Sequence, residues 1–331
     1  MEFEKGIFME LQTTNAATTT LRKVPTLSLA AYTQGNLAER ENFVHLLFSG
    51  IKDYGFIILK DHLVEQSKVD RAYDLLKAFY ALPEETKMKY CGNNAGQRGY
   101  TPFKKERAKD SKFGDLKEFW HVGRELSLTS AYKNIYPENV WPSEIPEFKN
   151  VMLELYDAMD KTSVVLLEAI GKGLDVPQNY FTDMVHDGNS IIRAIHYPPT
   201  TGHDTKNSVR AAAHEDINLI TLLVGATDSG LELLDRDGTW LPVNSNPGEI
   251  VVDTGDMMSR LTNEVLPATT HRVVNPDDSN TTRYSMPFFV HPHSNAVLSC
   301  IPSCVGNGAK YPDITAGDFL IQRLKEIGLY K

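Results

Sequence analysis

The chain has 331 residues, 41% hydrophobic and 23% charged, which is the composition of a folded globular protein and excludes a disordered or fibrous one. A formal net charge of −9 excludes the basic stripe of a nucleic-acid surface, although not a local basic pocket. No apolar run approaches the ~20 residues that cross a bilayer, and the amino terminus lacks the charged-then-apolar pattern of a secretory signal. Three cysteines, Cys91, Cys300 and Cys304, fit free thiols in a reducing compartment. The expectation is a cytoplasmic protein, monomeric or weakly homo-oligomeric, that binds neither nucleic acid nor membrane. Cys300 and Cys304 lack a second Cys/His pair and read as small buried or edge residues, not as a metal site.

Residues 1–22, rich in Thr, Asn and Ala towards their end, are expected to form a mobile leader. Residues 24–29 alternate as a short edge strand does. From 37 to 54 Phe43, Leu46, Leu47, Ile51 and Tyr54 recur at helical spacing. A buried strand follows at 55–60, then a helix from about 64 to 81, stopped before Pro83. Residues 92–99 read as a loop. Between 115 and 122 alternation returns, with Lys117, Phe119 and His121 on one side and Glu118, Trp120 and Val122 on the other. The longest helical pattern spans 146–174, closed by Gly171 and Gly173.

Beyond residue 190 the texture changes to short apolar runs broken by turn signals. Strands are expected at 191–197, 219–224, 231–234, 240–243, 249–253, 272–274 and 284–290. Gly255 and Asp256 are expected to make a turn. A final helix is expected at 314–329. This is an α+β chain with a mainly β core, and a double-sheet jelly roll is the natural architecture. The chain divides into an amino-terminal α/β region (23–130) and a helix-buttressed core (131–331), with the first half wrapping the second as one integrated unit.

His214, Glu215 and Asp216 fall at the start of a strand-like run, where residues i and i+2 share a face. His214 and Asp216 can then reach one ion together. His271 opens another strand pattern downstream. Two imidazoles and one carboxylate on one side of a metal leave the opposite positions open, the arrangement used by non-haem iron(II) oxygenases. Arg283 and Ser285 open the next strand and also share a face. A guanidinium with an adjacent hydroxyl is a good carboxylate clamp.

With these motifs in place, the chain resembles the iron(II)- and 2-oxoglutarate-dependent oxygenases of the isopenicillin N synthase-like branch. The resemblance covers about residues 24–330 and runs through residues 24–29, 54–56, 82–87, 99–100, 115–118, 193–199, 214–216, 271–273 and 283–285, in that order. It implies that His214, Asp216 and His271 ligate iron(II), and that Arg283 and Ser285 hold the far carboxylate of 2-oxoglutarate with help from the Tyr197 hydroxyl. Many plant members carry an asparagine two residues before that tyrosine; here the place is Ile195. The connection from His271 to Arg283, with a polar loop at 275–282, is slightly long for the family.

The activity implied is oxidative decarboxylation of 2-oxoglutarate by molecular oxygen, giving succinate and carbon dioxide. It is coupled to hydroxylation, desaturation or ring closure of a small organic substrate. Candidate substrate-pocket residues are Arg98, Tyr100, Phe103, Lys117, Phe119, His121, Arg193 and Arg210, and an inward basic member would suit an acidic substrate. Two other readings remain open at this point. One is an iron(II) oxidase of the isopenicillin N synthase type, using no 2-oxoglutarate and holding a substrate carboxylate on the arginine. The other is a non-catalytic metal- or small-molecule-binding jelly roll.

Overall fold

The computed structural model describes residues 22–91, 97–106, 114–203, 209–275 and 280–326. The expected leader, apart from its last residue, lies outside this set, as do most of the 92–99 loop, half of the 275–282 loop and the end of the last helix.

The first half of the chain comprises β1 (Thr26–Ser28), α1 (Leu29–Thr33), α2 (Leu37–Tyr54), β2 (Phe56–Lys60), α3 (Gln66–Tyr80), α4 (Glu84–Met88), β3 (Gly99–Thr101), β4 (Glu118–Gly123) and α5 (Phe148–Gly173). The ends of α2 follow from local chemistry. Asn36 and Glu39 form a reciprocal capping box at its start. Gly55 ends it at φ 68°, where an added Cβ would lie 2.0 Å from Thr269 Oγ1, so only glycine fits. The remaining elements are α6 (Tyr180–Val185), β5 (Ile191–Tyr197), β6 (Ala211–His214), β7 (Ile220–Val224), β8 (Leu231–Leu234), β9 (Trp240–Pro242), β10 (Ile250–Thr254), α7 (Asp256–Leu261), β11 (His271–Val273), β12 (Arg283–Val290) and α8 (Ala316–Glu326). Asp256 therefore begins a helix and does not sit in a turn. Its carboxylate meets Arg323 of α8 at 2.9 Å, an ion pair between distant segments that the local sequence did not signal.

Two sheets form the jelly roll. The larger has eight strands in the order β1-β2-β10-β7-β12-β5-β4-β3, and the smaller has four, β6-β11-β8-β9. The amino-terminal half does more than wrap the core, since β1 to β4 extend the large sheet at both edges. Strand registers sort the side chains of the large sheet by face. Arg283 opposes Tyr197 and Ser285 opposes Ile195. Ile195 in turn opposes Phe119, and Arg193 opposes His121. These residues therefore share one face. The other face carries Trp120, Ile192, Ala194, Leu222, Val252, Met286 and Phe288, buried against α2, α3 and α5 in the principal core. A second core lies between the sheets, built from Phe56, Ile58, Ala211, Leu231, Leu233, Val251 and Val273. Burying these apolar faces, at roughly 25 cal/mol per Å² of apolar surface, holds the two sheets together. No helix among the described residues is long and apolar enough to cross a membrane.

Candidate functional site

His214 and His271 stand directly opposite each other in the β6–β11 ladder. The β6 strand ends at His214, so Asp216 belongs to the loop that follows and not to a strand face. Its position is set from below. The backbone N–H of Asp256 donates to the Asp216 carbonyl at 2.7 Å. Gly255 permits this approach, because an added Cβ would lie 2.7 Å from that carbonyl oxygen.

The result is a compact donor set. One atom from each of His214, Asp216 and His271 lies within 4.8 Å of the others. The Asp216 Oδ1 is 3.8 Å from Nε2 of each histidine, and the imidazole centres are 4.5 Å apart. Nδ1 of His214 lies 2.7 Å from the Ala212 carbonyl, and Nδ1 of His271 lies 3.1 Å from that of Thr269. Each Nδ1 must carry the proton to make that bond, which leaves both Nε2 lone pairs facing Asp216. The Phe56 ring stands edge-on to His271. Two borderline nitrogens and one hard oxygen, the full donor set found here among the described residues, fit a divalent iron with open positions better than a closed four-ligand tetrahedral site.

The electrostatics agree. Burial pushes the His214 imidazole down to about 4, with the charge of His271 adding to it. Burial alone would raise the Asp216 carboxyl, but the two histidines and the Thr221 hydroxyl hold it below its ordinary value. Thr221 donates to the second Asp216 oxygen, and Asn218 Nδ2 donates to Thr221 Oγ1 at 3.0 Å. On β10, opposite Thr221, burial and then the neighbouring Asp216 push the Asp253 carboxyl well above the usual range.

Arg283 and Ser285 are both buried on the face that also holds Tyr197. The Arg283 guanidinium lies 4.9 Å from the centre of the Tyr197 ring. Its Nε donates to the Asp228 carbonyl at 3.1 Å, while its Nη1 is buried without a protein partner. Ile195, in the place where plant members carry asparagine, packs with Phe119 and Tyr197 in a small apolar cluster. A cavity of about 220 Å³ opens beside Arg283, lined among others by Leu223, Asp228, Leu231 and Val251.

The candidate pocket residues divide. Phe119, His121, Arg193 and Lys117 come together on the site face or at its edge. The Arg193 guanidinium lies 4.4 Å from the Phe119 ring centre and 5.3 Å from that of Phe289. Its Nε donates to His121 Nε2 at 2.7 Å and its Nη1 to Glu106 at 2.9 Å. Lys117 bridges Glu106 and Asp115 at 2.8 and 2.9 Å. Burial opposes the Glu106 charge, yet Arg193 and Lys117 hold its carboxyl below the ordinary range.

Tyr100 lies on the opposite face, level with Trp120, and donates to Glu118. Arg98 is buried where β4 ends, bonded to Gln97 and Asn189, and burial lowers it to about 10. Phe103, beyond the end of β3, meets the His203 ring at a tilt, with centres 5.1 Å apart. Arg210 lies over the Tyr197 ring, as Arg283 does. Cys304 is buried and Cys300 half-buried, and both are free thiols.

Sequence reasoning missed Thr221, Asp253 and His291. The first two had a signal: each is a polar residue directly beside an apolar run in its strand. His291 follows β12, with Nδ1 buried and without a protein partner. Burial, and then Arg98, push its imidazole down to about 4 against the pull of Asp216.

Comparison with known proteins adds the family context. Residues 24–144 match the amino-terminal domain described as non-haem dioxygenase in morphine synthesis, and residues 188–292 match the 2OG-Fe(II) oxygenase superfamily. A 2-oxoglutarate-Fe(II) type oxidoreductase of Emericella nidulans is 31% identical over 89% of this chain and 88% of its own length. Among solved structures, a 2OG-Fe(II) oxygenase family protein of Caulobacter crescentus is 46% identical, with a TM-score of 0.83 over 91% of this chain and 98% of that one. A full-length Neurospora crassa protein, solved in complex with alpha-KG (2-oxoglutarate), is 26% identical, with a TM-score of 0.81 over 91% and 95% of the two chains.

Proposed function

This chain belongs to the iron(II)- and 2-oxoglutarate-dependent oxygenases, and we propose that His214, Asp216 and His271 hold its iron while Arg283, Ser285 and Tyr197 hold the far carboxylate of 2-oxoglutarate. The enzyme is a dioxygenase that uses iron(II), 2-oxoglutarate and molecular oxygen to oxidise a small organic substrate, releasing succinate and carbon dioxide. The iron and cosubstrate supply the oxidising chemistry; the protein supplies position and exclusion of water.

One observation carries the ligand assignment: both Nδ1 atoms are committed to backbone carbonyls, so both Nε2 atoms turn to the same carboxylate oxygen. Thr221 fixes that carboxylate from its other side. The clamp assignment rests on a buried guanidinium that keeps a donor without a protein partner, with a buried hydroxyl two residues on. Ser285 and Tyr197 lie on the same face as that guanidinium.

Substrate is proposed to meet Arg193, Phe119 and His121. Arg193 and Lys117 are balanced by Glu106 and Asp115, so this patch favours a neutral polar molecule over a second anion. The aromatic rings of Phe119 and Phe289, both close to Arg193, suit a flat one. Thymine, bound in one structure of the related Neurospora crassa protein, is a molecule of that kind. The two sequence regions, 23–130 and 131–331, are proposed to work as a single unit, because β4 of the first pairs with β5 of the second. A monomeric or weakly homo-oligomeric state is proposed, which the sedimentation of the purified protein checks.

The deciding experiment is an anaerobic titration of the iron(II) protein with 2-oxoglutarate. A visible charge-transfer band, followed by succinate release when oxygen and substrate are added, is the expected result. Iron binding without the band and without succinate would instead identify an oxidase that needs no 2-oxoglutarate.

A further inference from the structure

The cosubstrate end of the site contains two buried guanidiniums. Arg283 opens β12, and Arg210 immediately precedes β6; they are 1% and 0% exposed. Both lie over the ring of Tyr197, at 4.9 and 5.8 Å from its centre. They also share Asp228. Arg210 Nη1 donates to its carboxylate at 3.3 Å, and Arg283 Nε donates to its backbone carbonyl at 3.1 Å. Arg210 Nη2 donates to the Thr281 carbonyl at 2.6 Å.

Two features remain unexplained by a purely structural role. Among the described residues, a single carboxylate, that of Asp228, forms an ion pair with either arginine, and its side chain is 29% exposed. Among the described residues, two buried positive charges thus face one partly solvated negative charge. Each arginine also retains a buried donor without a protein partner, Nε on Arg210 and Nη1 on Arg283. Placing like charges side by side in the interior is costly, and leaving their donors unpaired adds to that cost. An anion between them removes both costs.

We propose that Arg210 is a second arginine of the clamp, which binds the far carboxylate of 2-oxoglutarate together with Arg283. The inference rests on the reading of Arg283 given above. A two-arginine clamp demands a ligand that carries the far carboxylate, so the site should discriminate 2-oxoglutarate from shorter keto acids steeply.

Pyruvate keeps the keto acid that would chelate iron and lacks the far carboxylate. Anaerobic binding of 2-oxoglutarate and of pyruvate to the iron(II) protein, followed by absorbance and by the ligand-induced rise in melting temperature, therefore isolates the clamp. The expected result is that Arg210→Gln lowers the preference for 2-oxoglutarate over pyruvate about tenfold, leaving pyruvate affinity unchanged, while Arg283→Gln lowers it about a hundredfold. Arg210→Lys, which keeps the charge and loses the fork, carries the same comparison if the glutamine variant does not fold, with a smaller fall expected. An unchanged preference in the Arg210 variant, whether both ligands bind as before or both weaken alike, would overturn the proposal while sparing Arg283. A wild-type protein that does not prefer 2-oxoglutarate would overturn the clamp itself, and the role of Arg210 with it.

Discussion

The large sheet carries a buried polar network on each of its faces, and the two are built differently. On the helix side Glu118 receives Lys87 at 2.9 Å, the Tyr100 hydroxyl, and His196 at 2.7 Å. Nearby, Tyr80 donates to the Ala194 carbonyl and Tyr156 to that of Ser190. Glu118 and its partners satisfy one another. On the site side Arg283, Arg210, Asp253 and His291 each keep a buried polar atom without a protein partner. The same strands, with the same alternation, thus produce a closed network that holds the fold and an open one whose remaining groups point to ligands. Trp120 Nε1 on the helix side is also buried without a partner, so neither burial nor one unpaired atom distinguishes the two faces; the clustering of unpaired charged groups on the site side does.

The sharpest test of the open network is His271→Ala. Iron(II) affinity should fall by at least about a hundredfold and turnover to background, because the remaining pair cannot hold the ion on one side. Equilibrium dialysis measures the first and succinate release the second; retained iron affinity would remove His271 from the ligand set. Next in size is Arg283→Ala, with a rise of about a hundredfold in the 2-oxoglutarate dissociation constant and iron affinity unchanged.

The closed network should respond in the opposite sense. Glu118→Gln should cost about 2–3 kcal/mol of unfolding free energy, since it leaves Lys87 buried beside a neutral amide. Iron and 2-oxoglutarate affinities should not move. A selective loss of cosubstrate binding in that variant would break the distinction between the two faces.

A pH experiment sharpens the comparison further. His291 has a folded value of about 4 against an ordinary 6.5. Between those values the unfolded chain holds the proton and the folded chain does not. Its contribution is therefore fully present above pH 6.5 and lost as pH falls towards 4. In the metal-free protein this amounts to about 3 kcal/mol, and the slope of stability against pH should flatten in His291→Asn. Urea unfolding at several pH values reads it directly. The smallest effect is expected for Thr221→Val, which removes the hydroxyl from Asp216. Iron affinity should fall about tenfold with little change in melting temperature.

Much of the scaffold was legible because its signals are local. The helix expected at 37–54 is α2 itself, with Asn36, Glu39 and Gly55 supplying its boundaries. The strand expected at 191–197 is β5, and the runs at 231–234 and 284–290 return as β8 and β12 with shifts of one residue at most. Alternation at 115–122 also placed Phe119 and His121 on the face opposite Trp120. Other features had no local signal. Asp216 reaches its position because a loop is tied to the start of α7, although spacing alone suggested a strand face. Tyr100, one residue beyond Gly99, reads like a pocket residue until its pairing with β4 turns it towards Glu118.

By itself, then, the chain determined the period of each element and the identity of its chemical groups: two histidines, an aspartate and an arginine-hydroxyl pair in the order that the family uses. Those properties depend on residues within a few positions of one another, where spacing and side-chain chemistry suffice. Only the tertiary structure decided that Asp253 and Thr221 lie beside Asp216, that Asp228 joins Arg210 to Arg283, and that Glu118 is silenced by its partners. Each of these is a contact between segments far apart in the chain, and a buried charge becomes functional or structural according to what packs against it.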